Sequence, residues 1–184
     1  DSRVSGCEVQ VGSPIIDGRG GGIYAAAGVS IYGSQVISNA VQSTQSSADG
    51  GGIYTPGFLT TYQSVISDNR VNAANGYARG GGIVAGGGDL SLGTANVGLY
   101  STTISNNASN PELPDDGAPG VGGGTPSRPV TTTKSIGGGM YAAGDITISN
   151  CTISGKDAGA AAGLFMRGKG ATGATSNIVD STIS

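Results

Sequence analysis

The sequence has no histidine and no tryptophan, only two cysteines, and few charges: nine Lys and Arg against twelve Asp and Glu in 184 residues. Each shortage excludes something. Without histidine, Ser-His-Asp triads and His-ligated zinc sites are ruled out on inventory. With dispersed cations and a formal net charge of −3, no basic patch exists to follow a phosphate backbone, so no nucleic-acid partner is expected. The longest apolar stretch, 158–166, is broken by glycine and far too short to cross a bilayer, so no membrane span is expected in this segment. Asp1 is not an initiator and no charged-then-apolar leader follows it, so any export signal is expected to have been removed or to lie outside the segment. Solubility must come from Ser, Thr, Asn and the backbone, as is common in exported proteins.

What is abundant is glycine, 36 residues of it, alongside Ile, Val and Ala. Strong helix formers are scarce, and the composition is one of strands and turns. The glycines recur in a fixed frame of about thirty residues. Gly20-Gly21-Gly22-Ile23-Tyr24 returns as residues 50–54, 80–84 and 137–141, and in degraded form as Ala161-Ala162-Gly163-Leu164-Phe165. Such self-similarity means that each unit is one layer of a stack, burying its apolar face only against its neighbours.

Superposing the repeats gives columns. The first is Ile23, Ile53, Ile83, Met140 and Leu164. The second pairs Val29/Ile31, Leu59/Thr61, Val97/Leu99, Ile146/Ile148 and Ser176/Ile178, with Ser2/Val4 in front. The third pairs Ser34/Val36, Ser64/Ile66, Thr102/Ile104, Cys151/Ile153 and Ser181/Ile183, with Cys7/Val9 in front. Alternation broken by short bends is the mark of short strands facing one core. The expectation is an all-β stack of about five full coils plus one partial, some 25 to 30 Å long at about 4.8 Å per layer. Asn39, Asn69 and Asn107 fall at a bend and are expected to form a structural polar ladder. Arg19, Asp49 and Arg79 share a column and are expected to form a solvent-exposed ion ladder of about 0.2 to 1 kcal/mol per pair.

The glycine-triplet-plus-Ile mark, paired with Val36-Ile37-Ser38-Asn39, Ile66-Ser67-Asp68-Asn69 and Ile104-Ser105-Asn106-Asn107, resembles the Gly-Gly-Ala-[Ile/Leu/Val] and Phe-x-x-Asn repeats of polymorphic outer membrane proteins. It is similar more broadly to autotransporter passengers and other large bacterial surface proteins. The resemblance covers nearly the whole chain and departs in having Gly for Ala and Val or Ile for Phe. It implies a right-handed, single-stranded parallel β-helix (a solenoid) and an extracellular, outer-membrane-associated location, and it carries no catalytic signature. Residues 1–184 then form a single β-helix domain, expected to be a fragment of a longer solenoid whose flanking coils cover its ends.

Insertions mark where function tends to sit on such a scaffold. Eight extra residues lie between Ile83 and Val97, six between Leu164 and Ser176, and nineteen between Ile104 and Met140, the last expected as an extended loop over 107–136. An enzyme of the pectinase type needs paired carboxylates or a base beside them. Asp17, Asp49, Asp68, Asp89, Asp145, Asp157 and Asp180 occupy different columns, while the adjacent Asp115 and Asp116 lie in the long insertion. Lys134, Arg167 and Lys169 are the available bases, and the run from Gly86 to Gly93 has the wrong spacing for a glycine-rich calcium repeat. Cys7 and Cys151 share a column four coils apart, about 19 Å, and are expected to be free thiols packed as small hydrophobes.

The lead toward binding is tyrosine. Tyr24, Tyr54 and Tyr141 fall in one column and Tyr32, Tyr62 and Tyr100 in another, both expected to face outward, either as ladders that stabilise neighbouring layers or as rigid strips suited to sugar chains or another protein. The sequence thus predicts a non-catalytic surface scaffold for attachment, assembly, or protein or polysaccharide contact, with no cofactor and no metal. A polysaccharide lyase or glycoside hydrolase and a structural accessory subunit stand as alternatives.

Overall fold

The computed structural model describes residues 1–86, 95–110, 134–155, 158, 161–167 and 175–184. Among these the regular structure is all strand, and every strand pair is parallel. The repeat dictates the pairing. Ile23, Ile53, Ile83, Met140 and Leu164 stand opposite one another in successive layers, as do Val29, Leu59, Val97, Ile146 and Ser176. Their side chains, apart from the exposed Ser176, join Val36, Ile66, Ile104 and Ile153 in the principal core, and a smaller core holds Val41, Val71, Ala48, Ala73 and Ala78.

The expected single continuous right-handed β-helix is not what forms. The strands are divided among four separate parallel sheets of six, nine, four and four strands. The largest is curled as a half-barrel about the ten-residue strand Met140–Ser149, whose first residues pair with Ile83–Ala85 and Leu164–Arg167 and whose last pair with Ala95–Tyr100 and Ser176–Val179. The reason lies at the bends. Two rows of residues, Gly33, Gln63, Ser101, Asn150 and Asp180, and Gly6, Ser38, Asp68, Asn106 and Gly155, sit in the left-handed region with φ between 48° and 67°. That conformation interrupts a strand and favours Gly, Asn and Asp. Between Tyr141 and Asp145 the one residue with a positive φ is Gly144, at 122°, outside the narrow range of those bends; the strand runs through it, and two ladders merge into one sheet. A thirty-residue period fixes which residues are neighbours between layers, but not how many sheets they are divided among.

The first strands also pair differently from expectation. Val4 lies opposite Val36, and Val9 opposite Val41, one strand later than the columns proposed for Ser2/Val4 and Cys7/Val9. Ile31, Val36 and Val41 are spaced five apart, so sliding an incomplete layer by five residues keeps apolar on apolar. Cys7 therefore belongs to the asparagine column and is exposed, while Cys151 is buried in another; both are free. Of the 107–136 insertion, Ala108–Asn110 and Lys134–Ile136 are strands paired with Arg70–Ala73 and Tyr77–Arg79. The rest, 111–133 with Asp115 and Asp116, lies outside the described residues, as do Asp89, Asp157, Lys169 and most of the 86–93 run.

The asparagine ladder is present and buried. Asn39 Nδ2 donates to Asn69 Oδ1 at 3.0 Å, and Asn69 Nδ2 donates to Asn107 Oδ1 at 3.0 Å. Each Oδ1 also accepts the backbone N–H of the preceding asparagine at 3.0 Å. The second amide hydrogen of each Nδ2 goes to a backbone carbonyl, that of Val4, Val36 or Ile66. The glycine triplet is the other half of this motif. A Cβ on Gly52 would lie 2.9 Å from the Asn69 amide, and one on Gly51 would lie 2.4 Å from Gly81 O and 2.5 Å from Arg70 O. The triplet is the backbone that closes over the ladder, and no side chain fits between them.

Asn69→Ala should lower stability to urea by about 3 kcal/mol, because it strands the Asn39 N–H and the Val36 carbonyl in a dry interior. Asp68→Gly, at the exposed left-handed bend beside it, should stay within about 0.5 kcal/mol.

Candidate functional site

The first tyrosine column runs Tyr24, Tyr54, Val84, Tyr141 and Phe165 in register. Tyr24 stacks on Tyr54 with centroids 5.5 Å apart, and Tyr141 on Phe165 at 5.2 Å; Val84 separates the two pairs. The column is not the outward strip expected. Tyr54 is 1% exposed and Tyr141 4%, with Val84 buried between them, and only Tyr24 retains a largely free ring.

Their cover is charged. The Arg19 guanidinium lies 5.1 Å above the Tyr54 ring, and that of Arg79 lies 6.0 Å from the Tyr141 ring and 5.4 Å from Tyr77. Asp49 holds both arginines. Arg79 grips it through Nε to Oδ1 at 2.6 Å and Nη2 to Oδ2 at 2.9 Å, while Arg19 Nε stands 3.9 Å away and its Nη2 turns to Asp17 at 3.3 Å. The Asp49 carboxylate is fully buried. The charge column is thus a roof over the rings, not a ladder in solvent. A glycine triplet separates each charged residue from the next Ile-Tyr or Ile-Val pair, and with no side chains in between the guanidinium folds down onto the ring. A charge placed five residues before an outward position of an aromatic column, across side-chain-free backbone, is the sequence signal for such a lid.

Burial pushes the Asp49 carboxyl above its ordinary 3.8, against the pull of Arg79. Burial also works to lower Arg79, but the Asp49 carboxylate outweighs it and holds the guanidinium above its ordinary value. The two directions are compatible because Arg79 keeps 11% side-chain exposure where Asp49 has none. Asp17 and Asp49, placed in different columns by sequence, meet on Arg19. Asp17 Oδ1 also accepts from Ser47 N at 3.1 Å, so the cluster ties successive layers together.

The second column is different. Tyr32, Tyr62 and Tyr100 stand opposite one another in three consecutive layers of the curled sheet, all exposed. Beneath them alternate core residues: Ile31, Thr61, whose hydroxyl shares a hydrogen bond with Thr102 at 3.0 Å, and Leu99. Phe58, half-exposed on the same face, escaped a reading confined to tyrosines. Its alternation with Thr60 and Tyr62 carried the signal. The other sequence candidates are dispersed: Asp68 and Asp180 at separate bends, Asp145 accepting from Thr175 N at 2.9 Å, and Arg167 at the end of its strand. Among the described residues no three His, Cys, Asp or Glu side chains stand together as a metal site. No helix among them is long and apolar enough to cross a membrane.

Comparison with known proteins found no matching family model, and no curated protein or solved structure matched the chain. The likeness to polymorphic outer membrane repeats is one of motif.

Asp49→Ala removes the carboxylate that Arg79 grips and leaves Arg19 with Asp17 alone, and should cost about 3 to 5 kcal/mol in urea denaturation. The pH dependence has a definite sign. With its folded pKa raised, Asp49 binds a proton in the native state before the unfolded chain does, so its contribution is greatest below 3.8 and is lost as pH rises through the raised value. The stability difference between wild type and Asp49→Asn should therefore shift in favour of wild type as pH falls from 7 toward 4.

Proposed function

We propose that the chain is a non-catalytic scaffold of an extracellular or bacterial cell surface, outer-membrane-associated protein, serving attachment or assembly through contact with protein or polysaccharide. The observation that carries this reading is the row of exposed rings, Tyr32, Tyr62 and Tyr100 with Phe58, held in register on a sheet whose other face is core. Rigid aromatic side chains that stay in solvent contribute area for recognition at little conformational cost. The repeat motif and the shortage of charge support the location. The buried tyrosines Tyr54 and Tyr141 belong to the scaffold's internal bracing, and Tyr24 caps that pair.

The lyase or hydrolase alternative requires acid, base or cation-binding groups free to act. Asp49, the most perturbed carboxylate described, is committed to Arg79 and Arg19. Two measurements test the proposal together. Brief protease treatment of intact cells expressing the full-length product should remove epitopes of this segment, and the purified chain should release no reducing ends and no unsaturated product from a panel of neutral and uronic-acid polysaccharides. Turnover of any of them, or protection of the epitopes until the cells are broken, overturns it.

A further inference from the structure

The outward side of the strands Gly28–Tyr32, Phe58–Tyr62, Ala95–Tyr100 and the second half of Met140–Ser149 has a composition of its own. In rank across the layers it presents Ser30, Thr60, Gly98 and Thr147, and beside them Tyr32, Tyr62, Tyr100 and Ser149. Two of the rings, Tyr100 and Phe58, lie down on the sheet. A Cβ on Gly98 would meet the Tyr100 ring at 2.7 Å, and one on Gly28 would meet the Phe58 ring at 2.3 Å. Each glycine is the floor under a ring, and a ring lying over such a floor offers solvent its face rather than its edge.

We propose that this face binds a neutral polysaccharide, with the sugar chain crossing the strands along the stacking direction and its rings seated on Tyr32, Tyr62, Tyr100 and Phe58. This rests on the scaffold reading above and names its ligand. Four features select the occupant. Groups repeated at about 4.8 Å make equivalent contacts only with a ligand that itself repeats. Flat rings with hydroxyl tips suit the apolar faces of sugars, and Ser30, Thr60, Asn96 and Thr147 stand alongside to bond their hydroxyls. The outward residues of these strands include no cation, and their one charge, Asp145, already accepts from Thr175 N, so a uronan or a nucleic acid finds no counter-charge. A second copy of the same face would trap those hydroxyls and the Asn96 amide in a dry interface, at a cost sheet packing does not offset.

The test is depletion of the full 184-residue chain by insoluble cellulose, chitin and β-1,3-glucan, with polygalacturonate as the charged comparison. Wild type should be retained by at least one neutral polymer. Tyr32→Ala, Tyr62→Ala and Tyr100→Ala should each weaken retention about two- to tenfold. Tyr62→Phe should retain binding. Gly98→Ala, which removes no ring but lifts Tyr100 from its floor, should weaken it in the same direction while far-UV circular dichroism stays that of wild type. The chain has seven tyrosines and no tryptophan, so soluble oligosaccharide of the retained polymer should also perturb tyrosine emission of unmodified protein, independently of how any variant folds. The assignment is overturned if no neutral polymer retains wild type, if the ring substitutions leave retention unchanged, if polygalacturonate is preferred, or if the rings mediate a dimer instead. Failure on glycans with no polysaccharide turnover and surface exposure intact overturns this assignment alone. Ring-dependent retention accompanied by cleavage supports the site and overturns the non-catalytic reading.

Discussion

The closure of a glycine backbone over a line of buried asparagines is the constraint on which the rest of the chain depends. Asn39, Asn69 and Asn107 occupy the same corner of successive layers, with their amide groups bonded both along the stack and to the backbone. Once that corner is set, the glycine triplet must pass within a few ångströms of it, and the residue after the triplet is delivered inward at Ile23, Ile53 and Ile83. The register of the neighbouring ladders follows by counting residues from there wherever no insertion intervenes. A side chain added at the triplet and an amide removed from the ladder are faults of one joint.

The second consequence of the triplet is electrostatic. Because the backbone between Arg19 and Ile23, and between Arg79 and Ile83, carries no side chains, guanidinium groups lie directly on neighbouring aromatic rings, and Asp49 sits beneath them with no access to water. A buried charge is costly unless it is paired and bonded, and here the bidentate grip of Arg79 supplies both. One side of the molecule thus seals its aromatic column, while on another face Tyr32, Tyr62 and Tyr100 meet no charged cover among the described residues and stay exposed. The buried rings Tyr54 and Tyr141 are those that lie under an arginine of the preceding layer.

The periodic part of this molecule was legible in its sequence. The partners of Ile53, Leu59 and Ile66 in both neighbouring layers follow from the thirty-residue frame, and so does the asparagine ladder. Three things were not. The division into four sheets depends on left-handed residues such as Gln63 and Ser101, whose identity does not announce that conformation. The first strands slid by one strand, five residues, because Ile31, Val36 and Val41 recur at equal spacing, a local degeneracy that the hydrogen bond from Cys7 N to Asn39 Oδ1 resolves. The burial of Tyr54 and Tyr141 arises from groups on an adjoining sheet, which alternation along one strand does not report.

The asparagine line has a direction as well as a place. In both links the earlier residue donates through Nδ2 and the later one accepts through Oδ1, so the side-chain dipoles point the same way and polarise one another. A central member is strengthened from both sides and a terminal member from one. Such a row favours its own extension at the end that offers an unspent carbonyl or amide, and it gives the stack a head and a tail that no mirror operation along its length would interchange.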